Sequence, residues 1–166
     1  EKKSRAAASV IATIQGLCFF HDGQYEGKRI KLPVQLGREQ EEPVRADMKR
    51  FYQRLLEIRR SAILQSGIWK LLQPLPAWEG NNSYKNYLTW IWTHQHTYLL
   101  IAINYAQSTS QCRIKFHIPN LPPFIMMNDL PGGMSYYKET KELLTKGLFI
   151  EREAYEGHMF YFKVNK

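Results

Sequence analysis

Residues 88–104, LTWIWTHQHTYLLIAIN, are the stretch that decides the fold class. In its first half, Leu88, Trp90 and Trp92 alternate with other residues, and this period of two is typical of a β-strand. Residues 97–104 form a second apolar run, and THQH at 93–96 is suited to the turn between them. The segment therefore predicts an antiparallel β-hairpin.

Further short strands are predicted towards the C-terminus. Alternation or short apolar runs bounded by turn residues mark 112–118, 124–127, 147–151 and 158–164. Several short strands at intervals of roughly 8–12 residues are typical of an antiparallel β-sandwich. We predict such a domain over residues 62–166, a length sufficient for its own hydrophobic core.

The first 61 residues have a different pattern, which predicts a helix at 2–14 and another at 45–60, with a loop over 28–43. In the first helix, the expected buried face consists of Ala7, Val10, Ile11 and Ile14. In the second, an i, i+3, i+4 stripe consists of Met48, Phe51, Tyr52, Leu55 and Leu56. Asp47 in its first turn and Arg59 in its last have the signs that the helix dipole favours.

Between these helices lies Gly16–Gly27, GLCFFHDGQYEG, in which the apolar run Leu17–Phe20 precedes the polar residues His21, Asp22 and Gln24. A short apolar run bounded by glycine predicts a strand buried on both faces. One such strand has no predicted neighbour to satisfy its backbone. We therefore interpret residues 1–61 as the last, incomplete helix–strand–helix of an α/β barrel, whose apolar surface favours self-association.

Several segments resemble the α-amylase family (glycoside hydrolase family 13), in the right order along the chain. Gly16, Phe19, Phe20, Gly23 and Gln24 match its Gly-x-x-Phe-Phe/Tyr-x-Gly-Gln pattern at the last barrel strand. The other matching segments are the final barrel helix 51–60, the domain start 67–69, the strand 99–106 with Asn104, residues 128–132 and the closing strand 154–160. The resemblance implies a mainly β chain: an antiparallel β-sandwich of the amylase C-terminal type, preceded by the end of a (β/α)₈ barrel.

The resemblance also implies an intact enzyme that acts on α-glucans by hydrolysis or transfer. The catalytic carboxylates of the family follow earlier barrel strands, and Asp22 and Glu26 match none of them. We therefore expect no catalytic residue in this chain, which would need the remaining barrel portion as its partner. His21, Asp22 and Gln24 are expected beside the substrate. The family more often has Gln-Glu where this chain has Gln24-Tyr25.

Other candidate sites are weaker. Trp78, in the loop PLPAWEGNNSY, is a candidate platform for stacking on a sugar ring. His94 and His96 have a spacing that can bind zinc, but a hairpin turn explains them better, and we expect no metal or cofactor. The alternative to an enzyme portion is a stand-alone β-module that binds carbohydrate through Trp78 or, as the less favoured branch, nucleic acid through diffuse positive charge.

Composition narrows the functional classes. The net charge is +8, but residues 1–60 hold 13 basic and 8 acidic side chains and residues 61–166 hold 10 and 7, so the excess is spread out and nucleic-acid binding is not expected. Membrane insertion is not expected either, because no apolar run approaches the roughly 20 residues that span a bilayer. Cys18 and Cys112 are predicted to be free thiols, which favours the cytoplasm.

Overall fold

The computed structural model describes residues 1–30, Gln35 and 41–164. The helices are α1 (Lys2–Thr13), α2 (Ala46–Arg59), α3 (Ala62–Ser66) and α4 (Thr140–Thr145), with a 3₁₀ turn at Ser83–Asn86. The strands are β1 (Ile68–Leu72), β2 (Pro74–Leu75), β3 (Tyr87–His94), β4 (Thr97–Asn104), β5 (Ser110–Ile114), β6 (Phe124–Asp129), β7 (Met134–Glu139), β8 (Leu148–Arg152) and β9 (Gly157–Lys163).

The strands form two antiparallel sheets. The larger has six strands in the order β1-β3-β4-β9-β6-β7, and the smaller has three in the order β2-β5-β8. At the centre of the larger sheet, β3 and β4 form the predicted hairpin, with Tyr87 opposite Asn104 and His94 opposite Thr97. Gln95 takes a left-handed φ of 55° in its turn. The fold class predicted from the sequence, mainly β and antiparallel, is confirmed.

One apolar core lies between the two sheets. The larger sheet contributes side chains such as Ile91, Leu100 and Phe162, and the smaller sheet contributes Cys112 and Ile150. These side chains are almost completely buried, and burying one aliphatic or aromatic side chain stabilises the folded state by about 1.5–3 kcal/mol. This core makes the strands a sandwich.

A second core lies on the other face of the larger sheet, beneath α1 and α2. It includes Met48, Tyr52 and Leu55 of α2, packed with Trp90 and Ile101 of the sheet. The helices therefore form a third layer on the sandwich.

The end of α1 is fixed to the sheet by an unusual pair of hydrogen bonds. The indole N–H groups of Trp90 and Trp92 both donate to the carbonyl oxygen of Thr13, at 2.8 and 2.7 Å. Carbonyls in the last turn of a helix have no partner within the helix, so these two donors satisfy a buried acceptor. Both tryptophans are buried in the helix-side core.

The predicted strand Leu17–Phe20 is wrong for this structure. Within the described residues the segment joins neither sheet, and Leu17 and Phe19 are 94% and 73% exposed. Cys18 and Phe20 are half-buried against the helix-side core. The physical reason is that, in the part of the chain that the structure describes, no strand lies beside this segment to pair with its backbone N–H and C=O groups.

The predicted buried face of α1 is only partly confirmed: Ala7 and Val10 are half-buried, and Val10 packs against the helix-side core. The buried residues of α1 are Ala6, Ala8, Ala12 and Thr13, whereas Ile11 and Ile14 are each 38% exposed. Small side chains face the sheet because they let the helix backbone approach the bulky Trp90 and Trp92. In α2, the predicted stripe is largely confirmed, with Met48, Tyr52 and Leu55 buried.

Other boundaries differ from the sequence prediction. The strand expected at 112–118 ends at Ile114, because the ladder with β8 ends at the Ile114–Leu148 pair. The strands β1 and β7 and the short helix α4 carry no clear periodic pattern and were not predicted. Parts of the predicted loop 28–43 lie outside the described residues. Within the described part of the chain, no helix is long and apolar enough to span a membrane.

Candidate functional site

The loop that follows residues 17–20 is a compact set of turns. The amide of Lys28 donates to the carbonyl of Gly23 at 3.0 Å, and that of Gly27 donates to Gln24 at 3.2 Å. Gly23 and Gly27 have φ values of +78° and +72°, which side chains with a Cβ rarely adopt. A Cβ at Gly27 would also lie 3.0 Å from Cγ of Met48. These glycines therefore let the loop close against α2.

An aromatic cluster holds the loop on the helical layer. The rings of Phe20, Tyr25 and Tyr52 lie 5.1–5.6 Å apart, in tilted and edge-on arrangements that aromatic pairs prefer. Gln24 adds a hydrogen bond, since its side-chain amide donates to the hydroxyl of Tyr52 at 2.8 Å. Burial raises the pKa of Tyr52, so this hydroxyl stays protonated at neutral pH. Tyr25, which departs from the family pattern, thus has a packing role.

The predicted substrate-adjacent residues are placed together at this loop. The Nδ1–H of His21 donates to the carbonyl of Asp22 at 2.9 Å, and the amide of His21 donates to the side-chain oxygen of Gln24 at 3.3 Å. His21 and Asp22 are exposed, and Gln24 is half-buried. The side chains of His21 and Gln24 line a cavity of about 330 Å³.

The ends of both long helices complete this cavity, which we call the loop cavity. Besides His21 and Gln24, it is lined by Glu1, Ser4, Gly27, Lys28, Arg29, Arg45 and Met48. Glu1 and Ser4 lie at the start of α1, and Arg45 and Met48 at the start of α2. Sequence reasoning missed these residues, because nothing in a periodic pattern indicates that the beginnings of two distant helices meet.

Ion pairs connect the two helix starts. Glu1 lies 2.6 Å from Arg45 and 2.7 Å from Arg5, and Asp47 lies 2.9 and 2.7 Å from the same two guanidinium groups. The hydrogen bond from Arg45, followed by that from Arg5, lowers the pKa of Glu1. The side chains are about a third exposed, so these pairs fix geometry more than they add stability.

Trp78 lies elsewhere, in the loop between β2 and the 3₁₀ turn. Asn81 stabilises this loop through two hydrogen bonds. Its side-chain oxygen accepts from the backbone N–H of Ala77 at 3.3 Å, and its backbone N–H donates to the carbonyl of Trp78 at 3.2 Å. Trp78 is 54% exposed. The loop belongs to the layer of the smaller sheet, so the structure does not bring Trp78 together with His21 and Gln24.

A larger groove runs along α2, where sequence reasoning placed only a core stripe. It has a volume of about 670 Å³ and is lined by Arg5, Ser9, Asp47, Arg50, Phe51, Gln53, Arg54, Leu55, Glu57, Ile58, Pro131 and Met159. Most of these side chains belong to α2, and they include both exposed residues such as Arg50 and Glu57 and the buried Leu55. The non-local approach of Pro131 and Met159 carries no signal in the sequence.

A buried aspartate–histidine pair, Asp129 and His158, lies close to this groove. One oxygen of Asp129 accepts from Nδ1 of His158 at 2.9 Å, and the other accepts from the amide of Met159 at 3.0 Å. The His158 ring stacks on Phe160, with centroids 4.5 Å apart. Both oxygens of the carboxylate are used to join β6 to β9, which is a structural task.

Metal binding finds no support in the described residues, among which no group of three or more His, Cys, Asp or Glu side chains could hold an ion. His94 and His96 flank the hairpin turn, and the amide of Val164 donates to the carbonyl of His96 at 3.0 Å. The interpretation of these two histidines as turn residues agrees with this placement.

Comparison with known proteins gives a likeness of fold. No protein-family model matches the sequence, and no curated protein is significantly similar to it. The maltogenic α-amylase AmyB from Thermotoga neapolitana has a TM-score of 0.74 at 12% identity, over 99% of this chain and 37% of the amylase.

Two further solved structures are similar. The α-amylase from Geobacillus thermoleovorans, solved with acarbose, has a TM-score of 0.72 at 12% identity, over 100% of this chain and 34% of the amylase. An Anoxybacillus α-amylase has a TM-score of 0.71 at 13% identity, over 99% and 33%. The chain therefore has the fold of about a third of an α-amylase, a match consistent with the C-terminal portion and its antiparallel β-domain.

Proposed function

We propose that this chain is the C-terminal portion of an α-amylase-like glycoside hydrolase acting on α-glucans, and that it is not catalytic on its own. The observation that carries the proposal is the apolar segment Leu17–Phe20, which pairs with no strand within the described chain. The fold likeness supports it, since the similar α-amylases are about three times as long.

The exposure of this segment alternates as that of a strand does. Leu17 and Phe19 face outwards, and Cys18 and Phe20 face the helix-side core. The backbone N–H and C=O groups of an isolated strand have no hydrogen-bond partners in a sheet, whereas those of a strand between two neighbours are paired on both sides. We infer that the remaining barrel provides those neighbours and covers Leu17 and Phe19.

The β-domain would stabilise the barrel through the helical layer. The Thr13 carbonyl accepts from both tryptophans, and α2 buries Met48, Tyr52 and Leu55 against the same sheet face. These contacts hold the two helices that flank residues 17–20. In this proposal, residues 1–61 are the barrel portion and residues 62–166 the β-domain.

The loop after residues 17–20 would then lie at the mouth of the barrel. Active sites of such barrels lie at the carboxyl ends of the strands. His21, Asp22 and Gln24 would contact substrate there, and the carboxylates that cleave the glycosidic bond would come from the remaining barrel.

The proposal is tested by two measurements on the purified chain. With soluble starch, we expect no release of reducing sugar above a protein-free blank, and measurable release would contradict the non-catalytic assignment. In hydrogen exchange, the amides of 17–20 should exchange orders of magnitude faster than those of β4, because only the latter are paired. Strong protection at 17–20 would show that the segment already has a partner.

A second candidate function is a stand-alone carbohydrate-binding module, favoured by the exposure of Trp78 on a fixed loop. Affinity electrophoresis in gels containing α-glucan distinguishes the two. A module should be retarded, and Trp78→Ala should abolish the retardation, whereas Phe124→Ala, at another exposed ring, should not. Absence of retardation would exclude the module.

We further propose that the isolated chain self-associates through Leu17 and Phe19, which form exposed apolar surface beside unpaired backbone. Two free cysteines support a cytoplasmic location, since Cys112 is buried and Cys18 half-buried without a disulfide.

A further inference from the structure

We propose that the loop cavity binds a phosphate group, carried by a sugar phosphate or supplied as free phosphate. The assignment of this group to the substrate of a glucan-acting enzyme rests on the proposed function. The binding of phosphate by the cavity itself does not, because it follows from the side chains that line it.

The charge of the lining favours an anion. Three side chains that are cationic at neutral pH, Lys28, Arg29 and Arg45, line the cavity together with one carboxylate, that of Glu1. The carboxylates of Asp47 and Glu42 are not part of the lining but act on the same cations. The side-chain amide of Gln24 donates one hydrogen to Tyr52 and has a second N–H that can donate to a phosphate oxygen.

Two of the cationic groups have different tasks. Arg45 is engaged by Glu1 and Asp47, so it fixes the cavity wall. Arg29 is exposed and makes no salt bridge among the described residues, although its charge helps to lower the pKa of the Glu42 carboxyl. A guanidinium presents several N–H donors in one plane, an arrangement that matches two oxygens of a phosphate. Arg29 is therefore the main candidate for direct contact.

The backbone beneath Arg29 is already fixed by an anion. The amide of Arg29 donates to both carboxylate oxygens of Glu42 at 3.1 Å, and that of Ile30 donates to one of them at 3.0 Å. These hydrogen bonds, first that from Ile30, lower the pKa of Glu42. The loop thus presents Arg29 from a positioned backbone, which reduces the ordering cost of binding.

Hydrogen bonds also hold His21 in a fixed orientation. Because its Nδ1–H donates to the carbonyl of Asp22, its Nε2 is the nitrogen left to interact with a ligand. Gln24, held by Tyr52, fixes the backbone of His21 from the other side. With a volume of about 330 Å³, the cavity exceeds a single phosphate and has room for an attached sugar ring.

The test is isothermal titration calorimetry on the 166-residue chain at constant ionic strength, with inorganic phosphate, glucose 1-phosphate and maltose as probes. We expect both phosphates to bind and maltose not to bind. Tighter binding of glucose 1-phosphate would identify a sugar phosphate as the ligand, and equal or weaker binding would identify free phosphate.

Arg29→Gln should weaken phosphate binding at least about fivefold, because it removes a charged, bidentate donor, and His21→Gln, which removes a single contact, about twofold. Arg60→Gln removes an equally exposed arginine at the other end of α2 and should leave binding unchanged. Absence of phosphate binding, or equal weakening by Arg60→Gln, would overturn the proposal. The starch and exchange measurements are unaffected by either result, so the two proposals fail separately.

Discussion

Two apolar segments of this protein have similar composition but differ in burial and in strand pairing. Tyr98–Ile103 of β4 is buried, with β3 on one side and β9 on the other. Leu17–Phe20 is equally apolar, but it has no strand beside it within the described residues and leaves two large side chains in solvent. This difference indicates that an apolar run forms a strand only where neighbouring strands complete its backbone hydrogen bonds.

The largest expected effect lies in the paired segment. Ile101→Ala removes a fully buried side chain from the helix-side core and should lower the free energy of unfolding by about 2–5 kcal/mol. Urea unfolding measures the change. The matched control Leu17→Ala, in the exposed segment, should change it by less than about 0.5 kcal/mol. Similar losses at both positions would remove the contrast between the segments.

The connection between the two regions is the Thr13 carbonyl. Trp90→Phe and Trp92→Phe each leave this buried acceptor with one donor, and the double variant leaves it with none. The loss of unfolding free energy in the double variant should therefore exceed the sum of the single losses by about 1 kcal/mol. A double-mutant cycle in urea gives this difference, and strict additivity would contradict the shared acceptor.

The pH dependence of the free energy of unfolding at the two cysteines allows the same two regions, the sandwich core and the exposed segment, to be compared. Burial raises the pKa of the Cys112 thiol to about 12 from its ordinary value of 9.0. The folded state thus favours the protonated thiol, and its contribution to stability is complete below pH 9 and lost as pH rises towards 12. Between about pH 8 and pH 10.5, the free energy of unfolding should fall by about 2 kcal/mol more in the unmodified chain than in Cys112→Ala.

The control for this measurement is Cys18→Ala, in the exposed region. Burial raises the pKa of Cys18 too, but this thiol is only half-buried. In the Cys18→Ala variant, the free energy of unfolding should therefore fall at alkaline pH by nearly as much as in the unmodified chain. Cys18 should also be the first thiol to react with a disulfide reagent. Faster reaction of Cys112 would show that the sandwich core opens more readily than the structure indicates.

The smallest expected effect on stability is at Phe19. Because the ring is largely exposed, Phe19→Ser should change the free energy of unfolding by less than about 0.5 kcal/mol. The same change should reduce self-association in sedimentation velocity, since it removes exposed apolar surface. Unchanged association would show that the contact between copies does not involve Phe19. Tyr137→Ser, on the exposed face of β7, serves as the matched control.

Much of the candidate site could be predicted locally. The order His21, Asp22, Gln24 after an apolar run indicated a loop with polar side chains, and the structure places His21 and Gln24 in one cavity. Arg45 and Glu1 could not be predicted, because their approach depends on how α1 and α2 pack. Asp129 and His158 meet for a similar reason, since the pairing of β6 with β9 is non-local.

The sequence by itself determined the strand-rich C-terminal part, the hairpin of β3 and β4 and the two long helices, because period and turn residues act within a few positions. Only the tertiary structure decided that α1 buries its alanines rather than its isoleucines, and that Leu17–Phe20 stays unpaired. Those outcomes depend on the shape of the surface opposite, here the tryptophans of β3, and on whether a neighbouring strand exists. A local pattern contains neither.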